Sequence, residues 1–261
     1  RLLGGTCLSF VGACGPVPAP PAPQPAESSA NPSTDLYLYQ FGRLGRGSTV
    51  FNITNRIGYD NQPFWDKNDR ILYTAVSGGQ TDIRAIDLGD AVNSAVTSTP
   101  ESEYSAALTP DGEAITVVRV ERDSTQRLWR FPRDGSQPSV ILPNIKPVGY
   151  FAWLDSTTLA LFVLGSPNTL QIADLATGTS RVVATNIGRS IQRIPGGRRA
   201  SYVHRVNGRF VLESVDPRPT TSGFDIDTLA TMPDSAEFVV WKSATEAYTS
   251  AGSRILRLRP R

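Results

Sequence analysis

Few side chains in this sequence could perform acid–base, nucleophilic or metal chemistry. The 261 residues include one histidine, His204, and two cysteines, Cys7 and Cys14. A single histidine cannot supply a multi-histidine metal site or an HExxH zinc motif, and no GxSxG segment offers a serine nucleophile. Because both cysteines lie in the first fourteen residues, the remaining chain has no thiol. The sequence therefore predicts no catalytic residue, no metal site and no cofactor.

The acidic pairs in the sequence are weak candidates for a site. Asp225 and Asp227 lie two residues apart, which places both carboxylates on one face of a strand. A Ca²⁺ site would need more oxygen ligands than these two side chains provide. We expect a solvated face here, and likewise for Glu101 and Glu103. His204 lies in the strand-like segment 201–204 and is most simply a strand side chain.

Two arginine clusters remain as candidate binding surfaces. The first lies near a predicted turn and consists of Arg189, Arg193, Arg198 and Arg199. The second lies at the C-terminal end and consists of Arg254, Arg257, Arg259 and Arg261. Such a cluster can bind lipid phosphates or an acidic partner, at about 1 kcal/mol per charge near an anionic surface. It can equally be a charged edge that prevents strand-to-strand aggregation, and the sequence leaves both interpretations open.

The N-terminal segment 1–14 predicts export. Residues 2–13 are mostly apolar and fit the core of a secretory signal, but they are too few to span a bilayer. The segment Val11-Gly12-Ala13-Cys14 resembles a bacterial lipobox, and this resemblance implies acylation of Cys14. A plain signal peptide, an uncleaved anchor and a Cys7–Cys14 disulfide are the alternatives.

Residues 15–34 form a proline-rich linker with seven prolines from Pro16 to Pro32. Proline favours the extended polyproline II conformation and removes backbone donors, so the segment predicts a semi-rigid arm. We expect the arm to bind a partner protein. The partner-binding residues would be Pro18, Pro20, Pro21 and Pro23, together with the C-terminal arginines 254, 257, 259 and 261. A disordered linker is the alternative.

The body of the chain, residues 35–261, is predicted to be all-β and repetitive. No helical period persists, and short apolar runs alternate with turn residues. One strand pattern recurs six times, with its first apolar residue at Leu36, Ile83, Leu128, Leu170, Phe210 and Ile255. A leading pattern recurs five times, at Trp65, Leu108, Trp153, Ile194 and Trp241. A period near 40–45 residues with four strands per repeat is typical of a β-propeller.

The segment Leu108-Thr109-Pro110-Asp111-Gly112 resembles the PD40 repeat of TolB-like propellers. This resemblance implies a propeller of four-stranded blades over residues 35–261. Six copies of one strand and five of the other favour five blades with a strand left over, and six blades remain possible. PD40-containing polysaccharide lyases use several histidines around a metal, which a chain with one histidine does not match.

These features together predict a non-catalytic scaffold. We expect an exported, extrinsic subunit that docks onto a membrane complex of the bacterial envelope, of the transport, respiratory or photosynthetic kind. The N-terminal anchor would hold it at the membrane surface in the periplasm. The net charge of +2 gives no reason to expect nucleic acid binding. The alternatives are a periplasmic propeller that binds a small ligand or a glycan and, less favoured, a hydrolase or lyase.

Overall fold

The structure is a computed structural model, and it describes residues 33–41, 48–67, 69–135, 137–234 and 236–260. The predictions for Cys14, for the prolines 18, 20, 21 and 23, and for Arg261 therefore lie outside the described residues. Within these ranges the chain forms 21 strands and no helix, which confirms the all-β prediction. The described part accordingly contains no apolar helix of bilayer-spanning length.

Four sheets contain four strands each, arranged in chain order. The first of these sheets consists of β3 (Asp60–Trp65), β4 (Arg70–Ser77), β5 (Gln80–Asp87) and β6 (Asn93–Ala95), and the second of β7 (Ser102–Leu108), β8 (Ala114–Val120), β9 (Gln126–Pro132) and β10 (Ser139–Ile141). The third consists of β11 (Val148–Trp153), β12 (Thr158–Val163), β13 (Thr169–Asp174) and β14 (Thr179–Thr185). The fourth consists of β15 (Ile187–Arg193), β16 (Ala200–Val206), β17 (Arg209–Thr220) and β18 (Gly223–Thr231).

Two smaller sheets complete the described structure. The last sheet has the three strands β19 (Val239–Ser243), β20 (Glu246–Ala251) and β21 (Arg254–Leu258). A separate hairpin of β1 (Tyr37–Phe41) and β2 (Ser48–Asn52) comes first in the chain. Five sheets therefore begin with a leading strand, as the five-blade prediction requires. The six-fold pattern belongs to the third strands of these sheets and to β1.

The turn between β7 and β8 shows why the repeat sequence folds locally as it does. Gly112 has a φ of 75°, a conformation that costs glycine little and other residues much. The Thr109 hydroxyl donates to the Asp111 carboxylate over 2.5 Å and accepts the backbone N–H of Ala114 over 3.0 Å. The hydrogen bond from Thr109, followed by one from the backbone N–H of Glu113, holds the pKa of Asp111 below its usual range.

The described residues divide into two compact units. One contains the described residues up to Ala107 together with Arg119–Arg122, and the other contains Leu108–Val118 and the described residues from Asp123 onward. In the first unit, the inner face of the β1–β2 hairpin packs Leu36, Leu38 and Ile53 against apolar residues of β4 and β5.

The core of the second unit is built from successive sheets. Leu154, Phe162 and Leu170 pack with Ile187 and Tyr202. A further cluster joins β16 and β17 to the last sheet and consists of Val203, Leu212, Met232, Ala236, Val239 and Ala247, with Trp241 and Leu258 packed against it. Burying a side chain of this size stabilises the fold by about 1.5–3 kcal/mol.

Tryptophans of the leading strands are held by hydroxyls of the preceding sheet. The indole N–H of Trp241 donates to the Ser201 hydroxyl over 2.7 Å, and that of Trp153 donates to the Thr116 hydroxyl over 3.2 Å. Both acceptors lie on second strands, β16 and β8. The indole N–H of Trp65 is buried without a hydrogen-bond partner among the described residues. The acceptors for Trp153 and Trp241 lie on the second strand of the sheet before each tryptophan. The hairpin before Trp65 consists of β1, which matches the third strand of the other sheets, and β2, so within the described residues it contains no such second strand.

The Trp241–Ser201 bond can be measured in a double-mutant cycle. We expect the unfolding free energies of Trp241→Phe, Ser201→Ala and the double variant to show a coupling of about 1 kcal/mol, since each single change removes the same hydrogen bond. The measurement is urea unfolding followed by circular dichroism. Pairing Ser201→Ala with Trp65→Phe is the matched control and should give additive effects. Additivity in the Trp241 cycle as well would contradict this account.

Candidate functional site

The candidate site is the outer edge of the last sheet. Strand β21 pairs with β20 from Arg254 opposite Ala251 to Leu258 opposite Ala247. In the four-stranded sheets, the corresponding third strands β5, β9, β13 and β17 each have a second neighbour. Among the described residues, β21 has β20 alone. Its other edge is unpaired within the described ranges.

The side chains of β21 and of Arg259, which directly follows it, give this part of the last sheet a positive charge. Arg254, Arg257 and Arg259 are exposed, and Ile255 between them is 39% exposed. Leu258 is half-buried and packs against the core cluster of the last sheet. The structure thus brings together three of the four C-terminal arginines predicted as a binding surface, on a strand whose apolar residues hold it to the fold.

These arginines are not engaged by the carboxylates of the described chain. None of the ion pairs within the described ranges involves Arg254, Arg257 or Arg259. The nearest acidic side chain on β20, Glu246, accepts a 2.6 Å hydrogen bond from the Tyr248 hydroxyl and pairs with Lys242 at 3.2 Å. The Tyr248 bond, followed by Lys242, lowers the pKa of Glu246, and Arg257 adds a smaller contribution. The arginine side chains are available to an external anion.

The other arginine cluster is used within the protein. Arg199 reaches the carboxylates of Asp225 at 2.8 Å and Asp227 at 2.7 Å. These carboxylates are 58% and 62% exposed, so the expected solvated face is present, but a guanidinium bridges it. Arg193 donates to the backbone carbonyl of Gly197, and Arg198 lies 3.8 Å from Asp155. This cluster is largely an internal network of a turn and an outer strand.

His204 is a strand side chain, as predicted. It lies in β16, and its Nδ1 is 3.0 Å from a carboxylate oxygen of Glu213 on β17. Burial, with the Glu213 carboxylate nearby, raises the pKa of the Tyr202 hydroxyl above its usual range. Among the described residues, no group of three His, Cys, Asp or Glu side chains is placed to hold a metal ion.

The prediction that Glu101 and Glu103 are solvated was wrong. The Glu103 side chain is fully buried, and that of Glu101 is only 16% exposed. The Glu103 carboxylate accepts a 2.5 Å hydrogen bond from the Thr99 hydroxyl and lies 3.4 Å from Nε of Arg119. Arg119 also pairs with Glu101. Glu103 lies eight residues before Asp111, and Arg119 lies eight residues after it. A hairpin that turns at Asp111 brings these two positions together, and this equal spacing was the signal in the sequence for their contact.

The burial of Glu103 changes its ionisation. Burial raises the pKa of Glu103 to about 7, although hydrogen bonds from Thr99 and Thr97 and the charge of Arg119 act in the opposite direction. The nearby Asp82 carboxylate, whose own pKa is raised by burial, adds to the effect. The Glu103 carboxyl therefore keeps its proton to a higher pH in the folded chain than in the unfolded chain.

Comparisons with known proteins reveal the fold. No protein-family model and no curated protein matches the sequence. Among solved structures, a putative TolB from Agrobacterium tumefaciens aligns with a TM-score of 0.63 at 14% identity, over 78% of this chain and 73% of that chain. A TolB from Acinetobacter baumannii aligns with a TM-score of 0.57 at 20% identity, over 75% of this chain and 48% of that chain. The fold is a β-propeller.

Similarity at this level does not extend to activity. The gluconolactonase XC5397 from Xanthomonas campestris aligns about as well, with a TM-score of 0.61 at 14% identity over 82% of this chain and 75% of that chain. Solved proteins that are named as enzymes and others that are not are thus comparably similar in fold to this chain. The chain also spans only about half the length of the Acinetobacter TolB. Function has to be argued from the residues of this propeller.

The Glu103 cluster predicts a pH dependence of stability. Between the pKa of an ordinary glutamate, 4.5, and about 7, the folded chain binds more protons than the unfolded chain, so the free energy of unfolding falls as pH rises through this window. The loss is at most about 3 kcal/mol. Glu103→Gln removes the titrating group and should flatten this part of the profile, measured by urea unfolding between pH 5 and 8. Glu113→Gln, at an exposed position, is the control and should keep the wild-type profile; equal profiles for Glu103→Gln and the wild type would contradict this account.

Proposed function

We propose that this propeller is a non-catalytic scaffold that docks onto a larger membrane complex of the bacterial envelope. The observation that carries the proposal is the cluster of exposed arginines on β21 and at the residue that follows it. Arg254, Arg257 and Arg259 are exposed there beside a strand that has one described neighbour. A guanidinium forms paired hydrogen bonds with carboxylates and phosphates and sheds its hydration more readily than an ammonium group. The edge is therefore suited to an anionic protein surface.

The chemistry of the remaining side chains favours docking over catalysis. His204 is tied to Glu213, and Arg199 is tied to Asp225 and Asp227. Glu103 is buried beside Arg119. These groups maintain sheets and turns, whereas Arg254, Arg257 and Arg259 form no ion pair with another described residue.

The location and the second contact belong to the same proposal. Residues 1–14 predict export, and acylation of Cys14 would add membrane affinity of about 0.8 kcal/mol per buried methylene. The proline-rich arm, with Pro18, Pro20, Pro21 and Pro23, would give a second contact with the partner. An extrinsic subunit held by a tether and a charged edge combines two modest affinities into a stable attachment. The partner's identity will show whether the complex is of the transport, respiratory or photosynthetic kind.

Charge reversal tests the role of the β21 edge. The variant is the tagged chain with Arg254→Glu, Arg257→Glu and Arg259→Glu, purified from membranes in mild detergent. It should recover at least tenfold less of its membrane-protein partners than the wild type does, because the contact with an anionic surface becomes repulsive. Recovery is measured by quantitative mass spectrometry. The matched control is Arg189→Glu, Arg193→Glu and Arg198→Glu, which changes the net charge equally at exposed positions and should retain the partners.

Two results would overturn the proposal. One is a wild-type chain that purifies from native membranes as a monomer with no membrane protein bound. The other is equal recovery by the β21 variant and the control, provided that both melt like the wild type. A saturable thermal shift with a glycan or metabolite, unaffected by the β21 changes, would instead support the small-ligand alternative.

A further inference from the structure

Residues 96–101, which connect β6 to β7, are held by polar groups on two sides. On one side, the side-chain amide of Gln80 in β5 donates to the backbone carbonyls of Thr99 and Glu101. On the other side, the Thr99 hydroxyl donates to the Glu103 carboxyl group in β7. The connection therefore links a third strand of one sheet to the leading strand of the next.

Two carboxyl groups meet at this connection. The carboxyl groups of Asp82 in β5 and Glu103 in β7 lie within hydrogen-bonding distance of each other. The Glu103 side chain is fully buried, and its Oε2 has no hydrogen-bond partner among the described residues. Two ionised carboxylates have no proton to donate, and like charges in contact disfavour ionisation of both groups. A proton held between Asp82 and Glu103 removes the repulsion and supplies the missing hydrogen bond.

One guanidinium serves two carboxylates beside this pair. The Nε of Arg119 on β8 lies 3.4 Å from Glu103, and Arg119 also pairs with Glu101. Ionisation of Glu103 would leave its carboxylate, that of Glu101 and that of Asp82 around a single buried cation. The other cations that act on Glu101 or Asp82 are farther out or bound elsewhere, and they are Arg122, which is 78% exposed, and Arg84, which donates to Asn93.

We propose that the proton shared by Asp82 and Glu103 is a pH-sensitive latch that holds residues 96–101 against β5; this inference does not depend on the proposed docking function. When the proton passes to solvent, the two carboxylates repel each other. The connection then stays with Glu103, because hydroxyl groups of Thr97 and Thr99 bond to that carboxyl group and a hydrogen bond to a charged acceptor is the stronger one. The bonds that break are those to β5.

The latch closes at low pH and opens at high pH. Burial raises the pKa of Glu103 to about 7, and burial also raises the pKa of Asp82. The shared proton is therefore present at pH 6 and lost at pH 8.5. Opening one connection requires less free energy than unfolding the chain, so the change is local and the sheets remain folded.

Three backbone amides report on the latch. The N–H groups of Val96 and Thr97 donate to the Ile83 carbonyl over 2.9 and 3.1 Å, and the N–H of Ile83 donates to the Thr97 hydroxyl over 2.9 Å. All three bonds join the connection to β5. They break when the latch opens, whereas bonds inside the sheets do not.

The test is amide hydrogen exchange of the full chain, measured by NMR at pH 6 and pH 8.5 and corrected for the intrinsic effect of pH. We expect the amides of Ile83, Val96 and Thr97 to lose protection at least tenfold at pH 8.5 and to exchange like an exposed loop. The amides of β12 (Thr158–Val163) should remain protected at both values. Equal protection of the three amides at pH 6 and pH 8.5 would overturn the latch.

Variants of the carboxyl pair identify the group that titrates. Glu103→Gln keeps a neutral side chain that can bond to both Thr99 and Asp82, so the three amides should stay protected at pH 8.5. Asp82→Asn removes the repelling charge and should have the same effect, even if Glu103→Gln does not fold. Glu113→Gln, at an exposed position, is the matched control and should lose protection like the wild type.

Two further results would overturn the proposal. One is loss of protection at pH 8.5 in both Glu103→Gln and Asp82→Asn, because the opening would then not depend on the carboxyl pair. The other is protection of the three amides equal to that of β12 at both pH values, because they would then exchange only when the whole chain unfolds. Neither measurement involves a partner, so the docking proposal stands or fails separately.

Discussion

The pairing of backbone N–H and C=O groups along strand edges is the constraint on which the whole structure depends. Twenty-one short strands, with no helix among the described residues, can satisfy these groups only through neighbouring strands. Four sheets meet the requirement with four strands each. In the last sheet, the described residues pair with β21 on one side only. The side chains of β21 are arginines and aliphatic residues. Within the described ranges, the strand with one neighbour is also the strand that carries exposed arginines.

The architecture could be predicted from sequence because it repeats. The third-strand anchors, such as Ile83, Leu128 and Leu170, lie in β5, β9 and β13, and the leading tryptophans Trp65, Trp153 and Trp241 lie at or near the ends of leading strands. Spacing and alternation carry this information directly, since each repeat must bury one apolar face against the next. The same spacing showed that third strands outnumber leading strands.

The polar interior could not be predicted in the same way. Glu103 is buried because the turn at Thr109–Gly112 brings Arg119 beside it and because Thr99 turns its hydroxyl toward the carboxylate. Thr99 lies four residues before Glu103 and Arg119 sixteen residues after it, and composition alone shows neither contact, so it favoured a solvated glutamate. Likewise, the bridging of Asp225 and Asp227 by Arg199 depends on how a turn meets an outer strand. Local pattern predicts which face of a strand is apolar, and tertiary contact decides which charges can be buried.

The central claim is that, among the described residues, β21 pairs with a neighbouring strand on one side only. Residue-resolved amide hydrogen exchange measured by NMR tests it most directly. An edge strand has only alternate amides bonded to its neighbour, so the account predicts alternating protection along Arg254–Leu258, with every second amide exchanging as fast as an exposed loop. The central strand β16, which has neighbours on both sides, should be protected throughout. Uniform protection along β21 in the isolated chain would contradict the account, because it would mean that the edge is already covered.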